Sequence, residues 1–342
     1  MAFRTDLALE AYEALSYEQD HELIVEEEEI NEFTLKKINV NKAAAAFTGK
    51  KEGDYWTFEA PQLRTQNEEW IEKASTALSY VIRSFLEKMN ISEEGPILIA
   101  GLGNWQITPD ALGPDVCRKV FVTNHLFEFE PQAVEGGFRR TAALAPGVMG
   151  LTGMETAATL KGVIEQLKPA AVIVIDALAA RSASRLHTTV QISSAGINPG
   201  AGVGNNRQEI NSELFGVPVI AIGIPTVVDA ASITQDTLDY FEKTLKMKSK
   251  KDKKPSSLLM TKPSLEELDE NEAEPHEKSA YLGLIGELDE DEKQKLFREI
   301  LSPIGQNLIV TPKETDLYIK QASDMLASAL DHALHHPEER SE

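Results

Sequence analysis

Two aspartates stand where an apolar run gives way to a loop. Asp110 lies on GLGNWQITPDALGP (101–114), which follows Pro96-Ile97-Leu98-Ile99-Ala100, and Asp176 interrupts AAVIVIDAL (170–178) near its carboxyl end. An acid in such a place costs stability unless paired or hydrogen-bonded, so it caps a turn or acts in a site. If the two strands are neighbours, both carboxyls face one crevice. Close carboxyls repel when both ionise, so one keeps its proton. An acid beside a base suits activation of water against a carbonyl. Asp229 in IPTVVDA is a third acid of this kind. Arg181, Arg185 and Arg207, within DALAARSASR and GAGVGNNR, offer guanidinium forks for an incoming carboxylate or for surface salt bridges.

Other chemistries fit poorly. Gly101 and Gly103 supply two glycines of a dinucleotide turn, but Gln106 stands where the third belongs, and Pro109 and Pro114 interrupt any helix there. No G-x-x-x-x-G-K-[S/T], G-x-S-x-G or H-E-x-x-H occurs. His125 and His187 are isolated and read as hydrogen-bonded structure before general bases. Cys117 reads as a small buried residue, not a nucleophile. No metal set and no cofactor is expected.

The elements that must position these residues follow from periodicity. FTLKKINV (33–40) and DYWTFEA (54–60) alternate as strands of an antiparallel section. Trp70 through Met89 carries apolar residues at helical spacing. Buried strands are expected at 96–103, 170–178 and 217–225, with helices from Met154 to before Pro169 and around Ile233–Leu245. Continuous apolar strands alternating with helices predict an α/β fold, a mostly parallel sheet with helices on both faces, plus a smaller antiparallel section and C-terminal helices. Ligands of such sheets sit beyond the strands' carboxyl ends, at Gly101–Asp110, Asp176–Arg181 and Pro225–Asp229. Glu26–Glu29 reads as a solvated loop, and Gly200–Gly204 as a tight or mobile turn. Thr311-Pro312-Lys313-Glu314 reads as a capping box opening a last helix to about His335. The catalytic core is placed at 7–245, including the β section 30–60. A lysine block followed by an acid block marks 246–278 as a charged flexible insertion, and 279–342 as a helical segment packing on the core.

The chain has 342 residues, a net charge of −21 and one cysteine. That charge opposes direct binding of nucleic acid. No apolar run reaches the ~18–20 residues of a membrane span, and the N-terminus has no signal-peptide pattern, so a cytoplasmic protein is expected. The single cysteine agrees with that compartment.

The blocks GLGNWQITPDALGP, VTNHLFE, APGVMGLTGMET, VIDALAARS, NPGAGVGNNR and GIPTVVDA together resemble the germination proteases of endospore-forming bacteria, over nearly the whole chain. The resemblance implies an endopeptidase that degrades small acid-soluble spore proteins in the spore core and cuts after an acidic residue. It further implies a zymogen that sheds an N-terminal propeptide autocatalytically, and a homotetramer. Family substrates are cut within Thr-Glu-(Phe/Ile)-Ala-x-Glu. Thr5-Asp6-Leu7-Ala8-Leu9-Glu10 repeats that order, which implies cleavage between Asp6 and Leu7 and a propeptide of residues 1–6. The bland reading of the same stretch is a capped helix start.

The aspartates proposed as catalytic in the family, now grouped as aspartic-type, match Asp110 and Asp176. The family fold resembles hydrogenase-maturation endopeptidases, whose Asp-(Asp)-Gly-x-Gly turn differs from Asp110-Ala111-Leu112-Gly113 by its second acid. Those relatives use that acid to recognise a metal, so a metal-assisted peptidase is one alternative, and a non-catalytic acidic-peptide-binding module another. Arg181, Arg185 and Arg207 are the candidates to hold substrate acids, and Gly101 and Gly103 to let backbone pass close to the peptide.

Overall fold

The computed structural model describes residues 5–16, 24–65, 67–134, 136–200, 207–251, 283–301 and 308–335. The strands are β1 (Val25–Ile30), β2 (Phe33–Val40), β3 (Gly53–Glu59), β4 (Ile97–Gly101), β5 (Thr141–Leu144), β6 (Ala171–Ala180), β7 (Thr189–Ser193), β8 (Val219–Asp229) and β9 (Ile309–Val310). Their order is β1-β2-β3-β7-β8-β6-β4-β5, with β9 paired to the end of β8. β4 lies parallel to both β5 and β6, so the two strands leading to Asp110 and Asp176 are neighbours. The β1-β2-β3-β7-β8 ladders are antiparallel. The fold is α/β, and the antiparallel section is continuous with the parallel one because β8 lies beside β6.

Alternation along β4 and β6 explains the layers. Ile97, Ile99, Ile173 and Ile175 face one core, built with α3 (Glu68–Lys88), α4 (Leu112–Cys117) and the last helix Thr315–Leu334. Leu98, Ala100, Val172 and Val174 face a second core under the helix Thr156–Leu167. Period-2 strands buried on both sides need apolar residues at every position, which is why these runs are continuous.

Three expectations change. Glu26–Glu29 is not a loop but most of β1, an edge strand held by β2. Glu27 lies opposite Lys36 and Glu26 opposite Lys37, and Lys37 reaches Glu28 at 2.6 Å. Opposite charges across an edge pair support the strand that composition alone disfavours. The last helix begins at Thr315, not Pro312, because the Thr311 hydroxyl donates to the Thr226 carbonyl at 2.9 Å instead of capping. The compact units also cut across the boundaries drawn at 245 and 279. One unit comprises Val228–Val310 with Arg181–Ala183, whereas the last helix belongs with the larger unit, which holds Thr5–Ala180 and Ser184–Val227. Residues 201–206 and 252–282, and with them most of the glycine turn and of the charged insertion, lie outside the described residues.

Candidate active site

The turn after β4 is built to project Asp110. Leu102 N–H donates to the Ile175 carbonyl at 2.8 Å, tying the turn to β6 immediately before Asp176. Thr108–Asp110 forms one 3-10 turn, and the Thr226 hydroxyl pins it from β8 by donating to the Pro109 carbonyl at 2.7 Å. Gly101 and Gly103 were expected to admit a peptide, but their close approaches are internal. A Cβ on Gly101 would lie 2.1 Å from the Gly113 carbonyl oxygen, and one on Gly103 (φ +110°) 2.0 Å from that of Asp110. The glycines therefore let the turn fold back on itself and on α4.

Asp110 accepts the Asn104 N–H at 2.8 Å. Burial pushes its carboxyl up, opposed by that N–H and by the positive charge of Arg207. Asp176 is 6% exposed, and its carboxyl is pushed well above the usual carboxylate range. The causes are burial first, then the charges of Asp110 and of Asp6, against one N–H from Ala177. The repulsion thus falls on Asp176, whereas Asp110 has compensating partners. Both carboxyls are pushed up, and Asp176 the further of the two, because it has the deeper burial and two negative neighbours against a single N–H.

Asp6 brings the substrate-like segment to this pair. Its N–H donates to the Ala179 carbonyl, and its carboxylate accepts the Ala179 N–H, each at 2.8 Å. Leu7, Ala8, Leu9 and Glu10 are all buried as α1 (Ala8–Ser16) begins. The Thr5 hydroxyl donates to the Glu10 carboxylate and its oxygen accepts Leu7 N–H at 3.1 Å, a local turn just ahead of the helix. Gln191 of β7 donates from Nε2 to the Asp6 carbonyl at 3.1 Å and accepts Ala8 N–H on Oε1 at 2.7 Å. Lys50, just past α2 (Lys42–Thr48), donates to the Thr5 carbonyl at 2.7 Å. Burial lowers its pKa, while Asp6 and Glu10 favour its charge.

The other candidates separate clearly. Arg185 donates to Glu59 at 2.7 Å and to both oxygens of Glu13 at 2.7 and 2.9 Å, and its Nε stands 3.7 Å from Glu10. Arg207 acts on Asp110 by charge. Arg181 falls in the smaller unit. Asp229 is used locally: its Oδ1 accepts Ala231 N–H at 2.9 Å and its Oδ2 stands 3.6 Å from Arg298. Burial raises the Cys117 thiol to about 11, which leaves it protonated and unreactive. Among the described residues no group of three or more His, Cys, Asp or Glu is arranged to hold a metal, and no helix is long and apolar enough to cross a membrane.

Lys50, Gln191 and Ala179 escape a reading of motifs. Lys50 sits in a polar GKKEG turn, Gln191 is one polar residue in a short strand, and Ala179 acts through backbone alone. Only the position of Thr5–Glu10 in space reveals them.

The chain is 47% identical to a germination protease of Bacillus mycoides, the match covering 97% of this chain and 94% of that protein. It is 46% identical to germination proteases of Bacillus cereus and Bacillus anthracis over the same shares. A hydrogenase maturation protease, HycI from Thermococcus kodakarensis, superposes on 43% of this chain and 80% of its own with a TM-score of 0.28 and 19% identity, too little to carry an argument. Residues 5–342 match the family described as germination protease, and the chain belongs to that family of peptidases.

Proposed function

We propose that the chain is a self-processing endopeptidase of the aspartic type, cutting first its own Asp6–Leu7 bond and then small acid-soluble spore proteins after an acidic residue. In this reading it works as a homotetramer in the spore core. The observation that carries it is the seating of the substrate-like Thr5–Glu10 segment, with the charge of Asp6 reaching the buried Asp176 carboxyl.

The chemistry follows from the protonation states. Asp110, ionised, takes a proton from water as the water oxygen bonds the Asp6 carbonyl carbon, and Asp176 passes its proton to the carbonyl oxygen. The resulting gem-diol collapses. Asp110 gives its proton to the Leu7 nitrogen, the C–N bond breaks, and a hydroxyl proton returns to Asp176. Only water is consumed.

The acids of the segment each meet a cation. The Ala179 N–H holds the Asp6 carboxylate, Lys50 bonds the Thr5 carbonyl while the Asp6 charge favours its own, and Arg185 faces Glu10 beyond the bond. A substrate with acids at those two positions would meet the same groups.

Intact-mass spectrometry of full-length protein tests the proposal. The wild type should release residues 1–6, and Asp110→Asn and Asp176→Asn should release none while remaining folded. Full processing in either variant overturns the aspartate pair. Loss of processing on exhaustive chelation, restored by a metal, favours the metal-assisted alternative. A wild type that binds spore proteins without shortening them favours the binding module.

A further inference from the structure

We infer that Gln191 is a catalytic residue of this peptidase, the amide that polarises the scissile carbonyl. The inference rests on the proposed cleavage between Asp6 and Leu7. The Gln191 side chain spans that bond. Its Nε2 donates to the Asp6 carbonyl oxygen at 3.1 Å, and its Oε1 accepts the Ala8 N–H at 2.7 Å, one residue beyond the leaving nitrogen.

The orientation of the amide is not ambiguous. A carbonyl only accepts and a backbone N–H only donates, so the two partners fix which end of the amide faces which. The group is also rigidly held. Gln191 is buried, on a strand paired on both sides, opposite Thr57 of β3 and Gly223 of β8. Its chain neighbours Val190 and Ile192 are anchored in the main core.

A buried glutamine must satisfy both ends of its amide. Here it does so on one hexapeptide and on the two sides of one peptide bond. A carbonyl oxygen has two lone pairs, so it can accept from Gln191 and also take the proton that Asp176 delivers. As water adds, the carbonyl π pair moves to that oxygen, and a donor already in place strengthens as charge develops.

The test uses full-length protein and two readouts: the first-order rate of release of residues 1–6, by intact mass, and hydrogen exchange of the Asp6 and Leu7 amides. Gln191→Met, similar in volume but without a donor, should slow release roughly 10²–10³-fold, the usual effect of deleting one such donor. Protection of those two amides should persist, because the Ala179 carbonyl and the Thr5 hydroxyl still accept them, whereas Ala8 loses its acceptor. Gln191→Glu keeps the acceptor for Ala8 and loses the donor only when ionised. Its rate relative to wild type should therefore recover as pH falls, a signature that a purely structural glutamine would not give. An unchanged rate in Gln191→Met, or slowing matched by loss of protection, overturns the assignment. If Gln191→Met does not fold, a flat pH ratio in Gln191→Glu overturns it alone. A wild type that never releases the segment overturns the underlying cleavage reading as well, and is seen before any variant is made.

Discussion

Asp6 and Ala179 exchange two hydrogen bonds of 2.8 Å, backbone N–H to carbonyl one way and backbone N–H to carboxylate the other. The acid before the proposed scissile bond is thus held three residues beyond Asp176 on the same strand. Its position and its negative charge are tied together, so the strand that carries the buried acid also sets where the peptide lies.

That arrangement separates shape from charge at position 6. Asp6→Asn retains an oxygen for the Ala179 N–H but loses the interaction with Lys50. Lys50→Met removes the cation. Each should slow release of residues 1–6 by about tenfold, the order of a partly screened charge interaction. Lys50→Met also removes the hydrogen bond to the Thr5 carbonyl, so it should be the slower of the two, and the double variant should be little slower than Lys50→Met. Additive losses in rates measured by intact mass would show that the charges of Asp6 and Lys50 act independently.

The raised Asp176 carboxyl makes stability depend on pH in a defined direction. Its folded pKa lies above the ordinary value of about 3.9, so the folded state binds a proton more tightly than the unfolded chain does. The contribution is full below about pH 3.9 and is lost as pH rises through the folded pKa. Asp176→Asn has no charge to bury. It should melt higher than wild type near neutrality, and the difference should vanish by about pH 3. A variant less stable than wild type at pH 7 in calorimetry would contradict a protonated, penalised carboxyl.

Much of the frame was legible because its signals are local. β2 occupies the run read from alternation, and α3 and the Thr156–Leu167 helix follow their apolar spacing. The neighbouring of β4 and β6, on which the Asp110–Asp176 argument depends, is a topological fact that periodicity cannot supply. β1 was missed because four glutamates in a row suit solvent until the lysines of β2 lie opposite them. Asp229 looked equivalent to Asp176 in sequence, since both end apolar strands. Its backbone and Arg298 partners distinguish it, and neither is visible in the motif. Arg185 drew notice for its chemistry, yet its company of Glu10, Glu13 and Glu59 comes from three separate segments.

Gly103 offers a test of the turn that presents Asp110. A methyl group there meets the Asp110 carbonyl oxygen at 2.0 Å and must also adopt φ +110°, where side chains are strained. Backbone cannot yield as a flexible side chain does, so Gly103→Ala should shift Asp110 itself. The expected result is a loss of about 1–3 kcal/mol of stability together with a processing rate at least tenfold lower. Denaturant melts and intact-mass kinetics would read both. Wild-type processing in a destabilised Gly103→Ala chain would mean that the position of Asp110 is not critical.

His187 predicts a second, opposite pH dependence. The ring is buried, lies 5.0 Å from the Tyr318 ring, and has no hydrogen-bond partner on either nitrogen among the described residues. Burial, aided by the positive charge of Arg64, lowers its pKa from 6.5 to about 4. The unfolded chain therefore takes up this proton first as pH falls. Stability is full above about pH 6.5 and is lost progressively toward pH 4, the reverse of the Asp176 window. The residue also adopts φ +57°, a conformation that asparagine tolerates among non-glycine residues. His187→Asn should then cost some packing at neutral pH, yet lose less further stability than wild type between pH 6.5 and 4. An imidazole resonance assigned through that variant should titrate near 4 by NMR. A midpoint near 6.5 would show the ring open to water and remove the acid-sensitive term.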